Sequence, residues 1–273
     1  MNELQEKLLE IAIPAVEICN RLNLKYYLVC GSALGAAKYQ GFIPWDDDFD
    51  IGLPRPDYER FLKEAPALLP KNLFLQNYRT DPAFPHVFSK LRDSGTTQLE
   101  YSVEHLDMNH GIYIDIFPLD GYPAGKWEQK IFQLKKKLYS WMQYCALGKG
   151  PDPKVEFRNK IFRLLGYHKR TAKTLAKMDR LFAGYSTEIS EIWCNHGNWQ
   201  RDLEYAPRSQ YGAGREMTFE GVTVRVPEDW DAYLTQKYGN WRADPPPDKQ
   251  CSHHSYRVCD VSRPYTYYHK KRT

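Results

Sequence analysis

The stretch GFIPWDDDFDIGLP, Gly41 to Pro54, places Asp46, Asp47, Asp48 and Asp50 within five positions of an otherwise apolar segment. Like charges crowded beside Phe49, Ile51 and Leu53 repel one another and lose water on folding. Both effects raise carboxyl pKa values unless a cation sits among them. In a strand the side chains at i and i+2 point the same way, so Asp48 and Asp50 present two carboxylates from one face, with Asp46 extending the row if the strand begins early. Phe49 and Ile51 then face a core. Such a pair suits a hard cation, since Mg²⁺ takes oxygen ligands, usually one or two carboxylates with substrate phosphates and water. Farther along, GIYIDIFPLDG alternates so that Asp115 shares a face with Tyr113 and Phe117, a polar residue in a core strand placed to complete the set.

Rival readings of the acidic cluster differ in what they require. An EF-hand counted from Asp46 needs Gly at its sixth position and Glu at its twelfth, where this chain has Ile51 and Asp57. A solvated acidic turn is a poor match for FIPW before the run and FDIGLP after it. An Asp-x-Asp pair holding the metal of a nucleotide-sugar in a glycosyltransferase stays open at this point. Neither a P-loop nor a GxGxxG fingerprint is present, which removes support for kinase and dinucleotide readings.

Residues 3 to 22 carry Leu4, Leu8, Ile11, Ala15, Ile18 and Leu22 on one helical stripe. KYYLVCGS predicts a strand over Tyr26 to Val29 that breaks at Gly31-Ser32 before a helix through ALGAAKY. A turn of that kind aims backbone N–H groups at one spot suited to phosphate oxygens. DFDIGL, LFLQNY and HVFSKLRD read as further strands, and Asp57 to Ala65 as a helix. Residues 126 to 182 read as mostly helical, MTFEGVTVRV as a hairpin around Glu220-Gly221, EDWDAYLTQKY as a helix and ADPPPDKQ as a rigid extended loop. The expectation is a single domain of 273 residues: a core over 1 to 120, a helical insertion over 121 to 210, and a C-terminal hairpin, helix and loop over 211 to 273 that closes the site.

A net charge of +4 and the lack of zinc-finger or RRM patterns argue against nucleic acid as a partner. The six cysteines show no CxxC pair, which fits free thiols in a reducing compartment. No apolar run spans a membrane and the N-terminus lacks a signal-peptide layout, so the expected location is cytoplasmic. Residues 154 to 180 hold nine Lys or Arg against Glu156 and Asp179. This segment is either a solvated helix pair or a basic surface facing anionic lipid at the inner membrane face or a polyanionic acceptor.

YYLVCGSALGAAKYQGFIPWDDDFDIGLPRPDYERF resembles the N-terminal signature of the LicD family, which includes the fukutin-related proteins and lies within the nucleotidyltransferase-fold superfamily. FSKLRDSGTT, GIYIDIFPLDG and FEGVTVRVPEDWDAYLTQKYGNWRADPPPDKQCSHH resemble its later blocks in order, so the likeness runs from about residue 3 to 255 with the helical middle least covered. The fold it implies is an α/β (α+β) nucleotidyltransferase-like core with a short mixed sheet, flanking helices and a helical insertion. The activity it implies is metal-dependent transfer of phosphocholine from CDP-choline to a hydroxyl of a cell-surface glycan precursor, teichoic acid or lipopolysaccharide and in some cases lipid-linked, with release of CMP. Alternatives are a polyol-phosphate transferase using CDP-ribitol or CDP-glycerol, a nucleotidyltransferase, or a non-catalytic carbohydrate- or calcium-binding module.

Carried over by position, the resemblance assigns the nucleotide phosphates to Gly31 and Ser32. It assigns catalysis to Asp48, Asp50 and Asp115, and the metal, Mg²⁺ or Mn²⁺, to those three with Asp46. Lys90 and Arg92, alternating onto one face of their strand, are candidates for phosphate oxygens. His253 and His254 sit in the loop expected to close over the site. A choline headgroup calls for aromatic faces, and Trp45 is the first candidate, followed by Tyr211, Tyr238 and Trp241. The carboxylate expected to accept a hydroxyl proton, besides ligating metal, is Asp115.

Overall fold

A computed structural model describes residues 1–147, 153–197, 204–252 and 254–269. In chain order the elements are α1 (Glu3–Arg21), β1 (Tyr27–Leu28), α2 (Cys30–Tyr39), β2 (Asp50–Pro54), α3 (Arg55–Glu64), β3 (Leu73–Gln76), β4 (Ser89–Asp93), β5 (Thr97–Glu100) and β6 (Ile112–Gly121). There follow α4 (Lys126–Tyr144), α5 (Pro153–Leu164), α6 (Thr171–Phe182), β7 (Ile192–Cys194), β8 (Tyr205–Pro207) and α7 (Arg208–Tyr211). The chain ends with β9 (Arg215–Phe219), β10 (Val222–Val226), α8 (Trp230–Tyr238), β11 (Tyr256–Asp260) and α9 (Tyr265–His269).

The main sheet runs β1-β2-β6-β4-β3, and β7 and β8 continue from the far end of β6. Strands β2 and β6 are parallel while their other neighbours are antiparallel, giving the mixed sheet that the sequence predicts. All ten residues of β6 are buried, as a central strand covered on both faces requires. Helix α1 covers the sheet with Leu8, Ile11, Ala15 and Ile18 buried. Its start is fixed by a capping box: the Asn2 side chain accepts from the Gln5 N–H at 2.8 Å, and the Gln5 side chain accepts from the Asn2 N–H at 3.1 Å.

The insertion brings its own small core, where Phe132 of α4 meets Leu175, Met178 and Phe182 of α6, with Val87 beneath them. It is fastened to the sheet by the pairing of β7 with β6 and by charge. Arg55, at the start of α3, donates to both oxygens of Asp120 on β6 at 2.7 and 2.8 Å and to Asp179 of α6 at 2.8 Å. Asp179 also accepts from Tyr78 and Arg79, each at 2.7 Å.

Some expectations shift by a few residues, and each shift has a local cause. Strand β2 begins at Asp50, because Pro44-Trp45 form a turn closed by the Asp46 N–H on the Ile43 carbonyl at 2.9 Å. Asp46 and Asp48 therefore lie on a loop and not on the strand. Strand β1 stops at Leu28 since Cys30 already adopts φ +54 and opens α2, a left-handed conformation seldom taken by a side-chain-bearing residue. ADPPPDKQ is not uniformly extended but contains a 3₁₀ turn at Pro247–Lys249. Strands β5 and β11 pair across more than 150 residues of sequence, a contact that local pattern does not reveal. The hairpin is as predicted, with Glu220 and Gly221 both at positive φ in its two-residue turn.

Gly35 shows how tightly α2 is seated. A methyl group at this position would stand 2.4 Å from the backbone oxygen of Gly41. Alanine ordinarily gains up to ~1 kcal/mol over glycine in a helix. Here the loop leading to the aspartates would have to move, so Gly35→Ala is expected to destabilise the protein by about 1–3 kcal/mol in a denaturant titration.

Candidate active site

Three adjacent strands set the site. Asp50 on β2 pairs in register with Asp115 on β6, and Asp115 pairs with Lys90 on β4, so these three residues sit side by side across the sheet. Directly paired residues share a face, and the strand registers thus juxtapose two carboxylates with one ammonium. The Lys90 Nζ lies 3.2 Å from Asp115 Oδ1 and 3.1 Å from the centroid of the Tyr113 ring. Arg92 covers the same ring at 4.6 Å.

The acidic loop folds onto this row from the α1 and α2 side. The Gln5 side-chain amide holds the carbonyls of Ile43 and Asp46 at 3.3 and 3.0 Å. The Ser32 hydroxyl accepts from the Asp50 N–H at 2.8 Å, which ties the first turn of α2 to the first residue of β2. A Cβ at Gly31 would stand 2.6 Å from Asp46 Oδ2, so glycine lets that carboxylate rest against the N-terminal end of α2, where the helix dipole favours negative charge. The C-terminal segment reaches the same loop. His254 Nδ1 lies 2.8 Å from Asp47 Oδ1, and Ser252 donates to Asp47 Oδ2 at 2.5 Å. Strand β11, paired with β5, carries that segment there.

Burial and mutual repulsion raise the carboxyls. Desolvation, then Asp48 and Asp47, push Asp46 up to about 8. Desolvation, with Asp115 and Asp47 adding to it against His254 and Lys90, pushes Asp48 up to about 6. Asp50 is driven well above the usual carboxylate range by burial, then by Asp48 and Asp115. Asp115 is raised by burial, with Lys90 and His254 opposing. His254 goes the other way: burial lowers it, but Asp47 and Asp48 hold it up at about 9.

These residues fit a divalent cation. The donors are hard oxygens, and Asp48 Oδ1 is buried without a hydrogen-bond partner. Among the described residues, no three His, Cys, Asp or Glu side chains form a ready ligand set.

The structure distributes the other candidates unevenly. Asp46, Asp48, Asp50, Asp115, Gly31, Ser32, Lys90 and His254 are gathered at one place, whereas His253 lies outside the described residues. Arg92 is fully buried, donating to Gln76 and, at 2.6 Å, to the Gly111 carbonyl, with Glu100 3.8 Å away. These contacts hold the guanidinium within the sheet. Lys90 is likewise engaged, as the counter-ion of Asp115. Trp45 is half-buried and meets Tyr39 edge-on at 6.4 Å, and the Tyr39 hydroxyl donates to the exposed carboxylate of Asp244 at 2.5 Å. Tyr238 keeps 37% of its surface exposed. Desolvation raises its phenol, and the neighbouring Cys30, Tyr233 and Glu204 add to that. Trp241 is buried, donates to Asp231 at 3.0 Å and is covered by Arg242 at 4.3 Å, while Tyr211 is buried among Tyr27, Trp193 and Tyr233. Neither offers a free ring face to a headgroup.

Several residues that frame the site escape sequence reasoning. Gln5 is an ordinary helix residue until its fold position is known. Asp47 reads as one more member of an acidic run, although it is the residue that holds the closing segment. Glu100 accepts from the Tyr113 hydroxyl at 3.0 Å, and against burial, which raises it, Lys90 and Arg92 hold its carboxyl down at about 2. Beneath Asp50, Lys237 and Glu204 form a buried ion pair next to Cys30.

Residues 23–146 match the family model described as LicD/FKTN/FKRP, nucleotidyltransferase domain. The paired strands and their row of carboxylates thus belong to a nucleotidyltransferase-type domain. The lipopolysaccharide cholinephosphotransferase LicD of Haemophilus influenzae is 26% identical over 247 residues, covering 87% of this chain and 89% of that protein. These two likenesses support a LicD-type phosphotransferase, with the family's nucleotidyltransferase domain matching residues 23–146. Uncharacterized proteins of Rickettsia prowazekii and Rickettsia typhi are each 30% identical over 121 and 122 residues, 44% of this chain and 42% and 35% of their own lengths.

Proposed function

We propose that this protein transfers phosphocholine from CDP-choline to a hydroxyl of a lipopolysaccharide-type glycan precursor and releases CMP. The observation that carries the reading is the register of Lys90, Asp115 and Asp50 across β4, β6 and β2, with Asp48 looped over them. The name of the Haemophilus relative supports choline and lipopolysaccharide over a polyol donor or a teichoic-acid acceptor.

The acceptor oxygen attacks the phosphorus that bears choline. A new P–O bond forms as the P–O bond to CMP breaks, and the hydroxyl proton passes to a carboxylate of the cluster. In phosphoryl transfer, positioning and charge neutralisation supply most of the rate. When Mg²⁺ is bound, Asp48 and Asp50, bordered by Asp46 and Asp115, would hold it, and it would neutralise diphosphate charge. Lys90 orients Asp115 and opposes the burial that raises its carboxyl. Ser32 fixes the backbone at Asp50, and the segment held by His254 and Asp47 limits water. Trp45 offers a quaternary ammonium one ring, worth on the order of 1 kcal/mol, beside a Tyr39–Asp244 pair that Lys38 already serves at 2.6 Å from the carboxylate and 5.4 Å from the Tyr39 ring.

The test is to incubate the protein and Mg²⁺ with CDP-choline, CDP-ribitol or CDP-glycerol, with acceptor present, and to measure CMP with and without chelator. CMP from CDP-choline alone, abolished by chelation, is the expected result. Release from a CDP-polyol and not from CDP-choline would move the donor assignment, and release that survives chelation would remove the metal.

A further inference from the structure

Two helices of the insertion turn apolar side chains to solvent. On α4, Trp127, Ile131, Leu134 and Leu138 are exposed to 77%, 52%, 69% and 42%. Spacings of four, three and four residues align them in one stripe at about 100° per residue. The buried positions of α4, Phe132, Lys136, Ser140 and Gln143, lie on the opposite side, so the stripe points away from the body. Helix α5 repeats the pattern with Phe157, Ile161 and Leu164, exposed to 69%, 43% and 80%, while Asn159 on its far side is buried. Large apolar side chains aligned in this way mark a surface that something else covers.

The surrounding charge indicates what covers it. Lys130 and Lys137 border the α4 stripe on one side and Lys135 on the other, all exposed, and the Lys130 Nζ sits 4.8 Å from the Trp127 ring. Lys160 occupies the same relative place on α5 and is exposed too. Glu156 is neutralised by Arg163 at 3.0 Å, leaving Glu128 as the acid beside the α4 stripe. His168, Lys169, Arg170 and Lys173 then line a cavity of about 690 Å³, next to Leu106 and Leu147, whose wall contains no acidic residue among the described residues. Apolar side chains between lysines whose stems can lie along a hydrocarbon surface are the pattern of a helix resting in a lipid interface. A second copy pairing these faces would bring lysine against lysine. Among the described residues, no helix is long and apolar enough to cross a membrane, which fits lying on a bilayer.

We propose that α4 and α5 form a docking surface for an anionic lipid bilayer, with the two apolar stripes at headgroup depth and the flanking lysines and residues 168–173 against lipid phosphates. The inference is independent of which donor the active site takes.

The test is flotation of the full chain with vesicles of phosphatidylcholine alone and of equal parts phosphatidylcholine and phosphatidylglycerol. Binding to the anionic vesicles, weakened by salt and small on the neutral ones, is expected. Leu134→Glu with Leu164→Glu should lower partitioning by on the order of a hundredfold, about tenfold per leucine. Lys130→Glu with Lys160→Glu should lower it by ~tenfold or more. All four side chains are exposed, so melting temperatures should match the parent and separate lost docking from lost folding. No flotation with anionic vesicles, equal binding to neutral ones, or binding indifferent to the leucine substitutions overturns the proposal. A dimer abolished by those substitutions, without vesicle binding, overturns it in favour of a second copy.

Discussion

Asp48→Asn is expected to lower CMP release from the CDP-alcohol by at least ~10³-fold, about 4 kcal/mol of transition-state stabilisation, while the melting temperature of the metal-free protein holds or rises. The two halves of this result come from one geometry. Asp48 Oδ1 is buried and makes no hydrogen bond. Its charge stands in the field of Asp46, Asp47, Asp50 and Asp115, which together with burial outweighs the attraction of His254 and Lys90, so a neutral amide of the same shape relieves net repulsion. A carboxylate kept where it is unfavourable for folding is a mark of functional use. Near-normal turnover by this variant, measured as CMP per minute at saturating donor, would remove the acidic row from the chemistry. A melting temperature several degrees lower would instead make Asp48 a structural residue.

The opposite outcome is expected at Asp120. Its carboxylate is fully buried and takes two hydrogen bonds from Arg55, whose guanidinium also reaches Asp179. Asp120→Ala leaves a buried guanidinium short of its bidentate partner, a loss of about 3–5 kcal/mol. For a chain of this size that is roughly 10 °C or more in melting temperature. Residual folded protein at low temperature should retain a measurable turnover, because Asp120 lies five residues from Asp115 along β6 and so faces the other side of the sheet. A shift under ~2 °C would show that the ion pair is dispensable to the attachment of the insertion.

Much of this was legible in the chain. Alternation in GIYIDIFPLDG places Asp115 with Tyr113 on one face, and β6 carries them so. The apolar stripe of α1, the Glu220-Gly221 hairpin and the helices after Lys126 follow from periodicity and turn chemistry. Other features depend on contacts that local pattern does not encode. The start of β2 at Asp50 is decided by a turn at Pro44, and the pairing of β5 with β11 by residues far apart in sequence. The commitments of Arg92 to Gln76 and of Lys90 to Asp115 follow from strand order. Both cations read as phosphate ligands when only their alternation is known, and their partners become visible when β4 is placed between β3 and β6. Trp241 and Tyr211 read as open rings for the same reason, since a sequence does not tell which aromatic faces are already covered.

Strand β6 holds Asp115 toward the acidic row and Asp120 toward the insertion. One rigid rod therefore serves two masters that never meet: the reacting centre and the module hung behind it. A change in the outline of the helical module that spares the Arg55–Asp179 contact and the pairing of β7 with β6 is therefore expected to leave the acidic row in place.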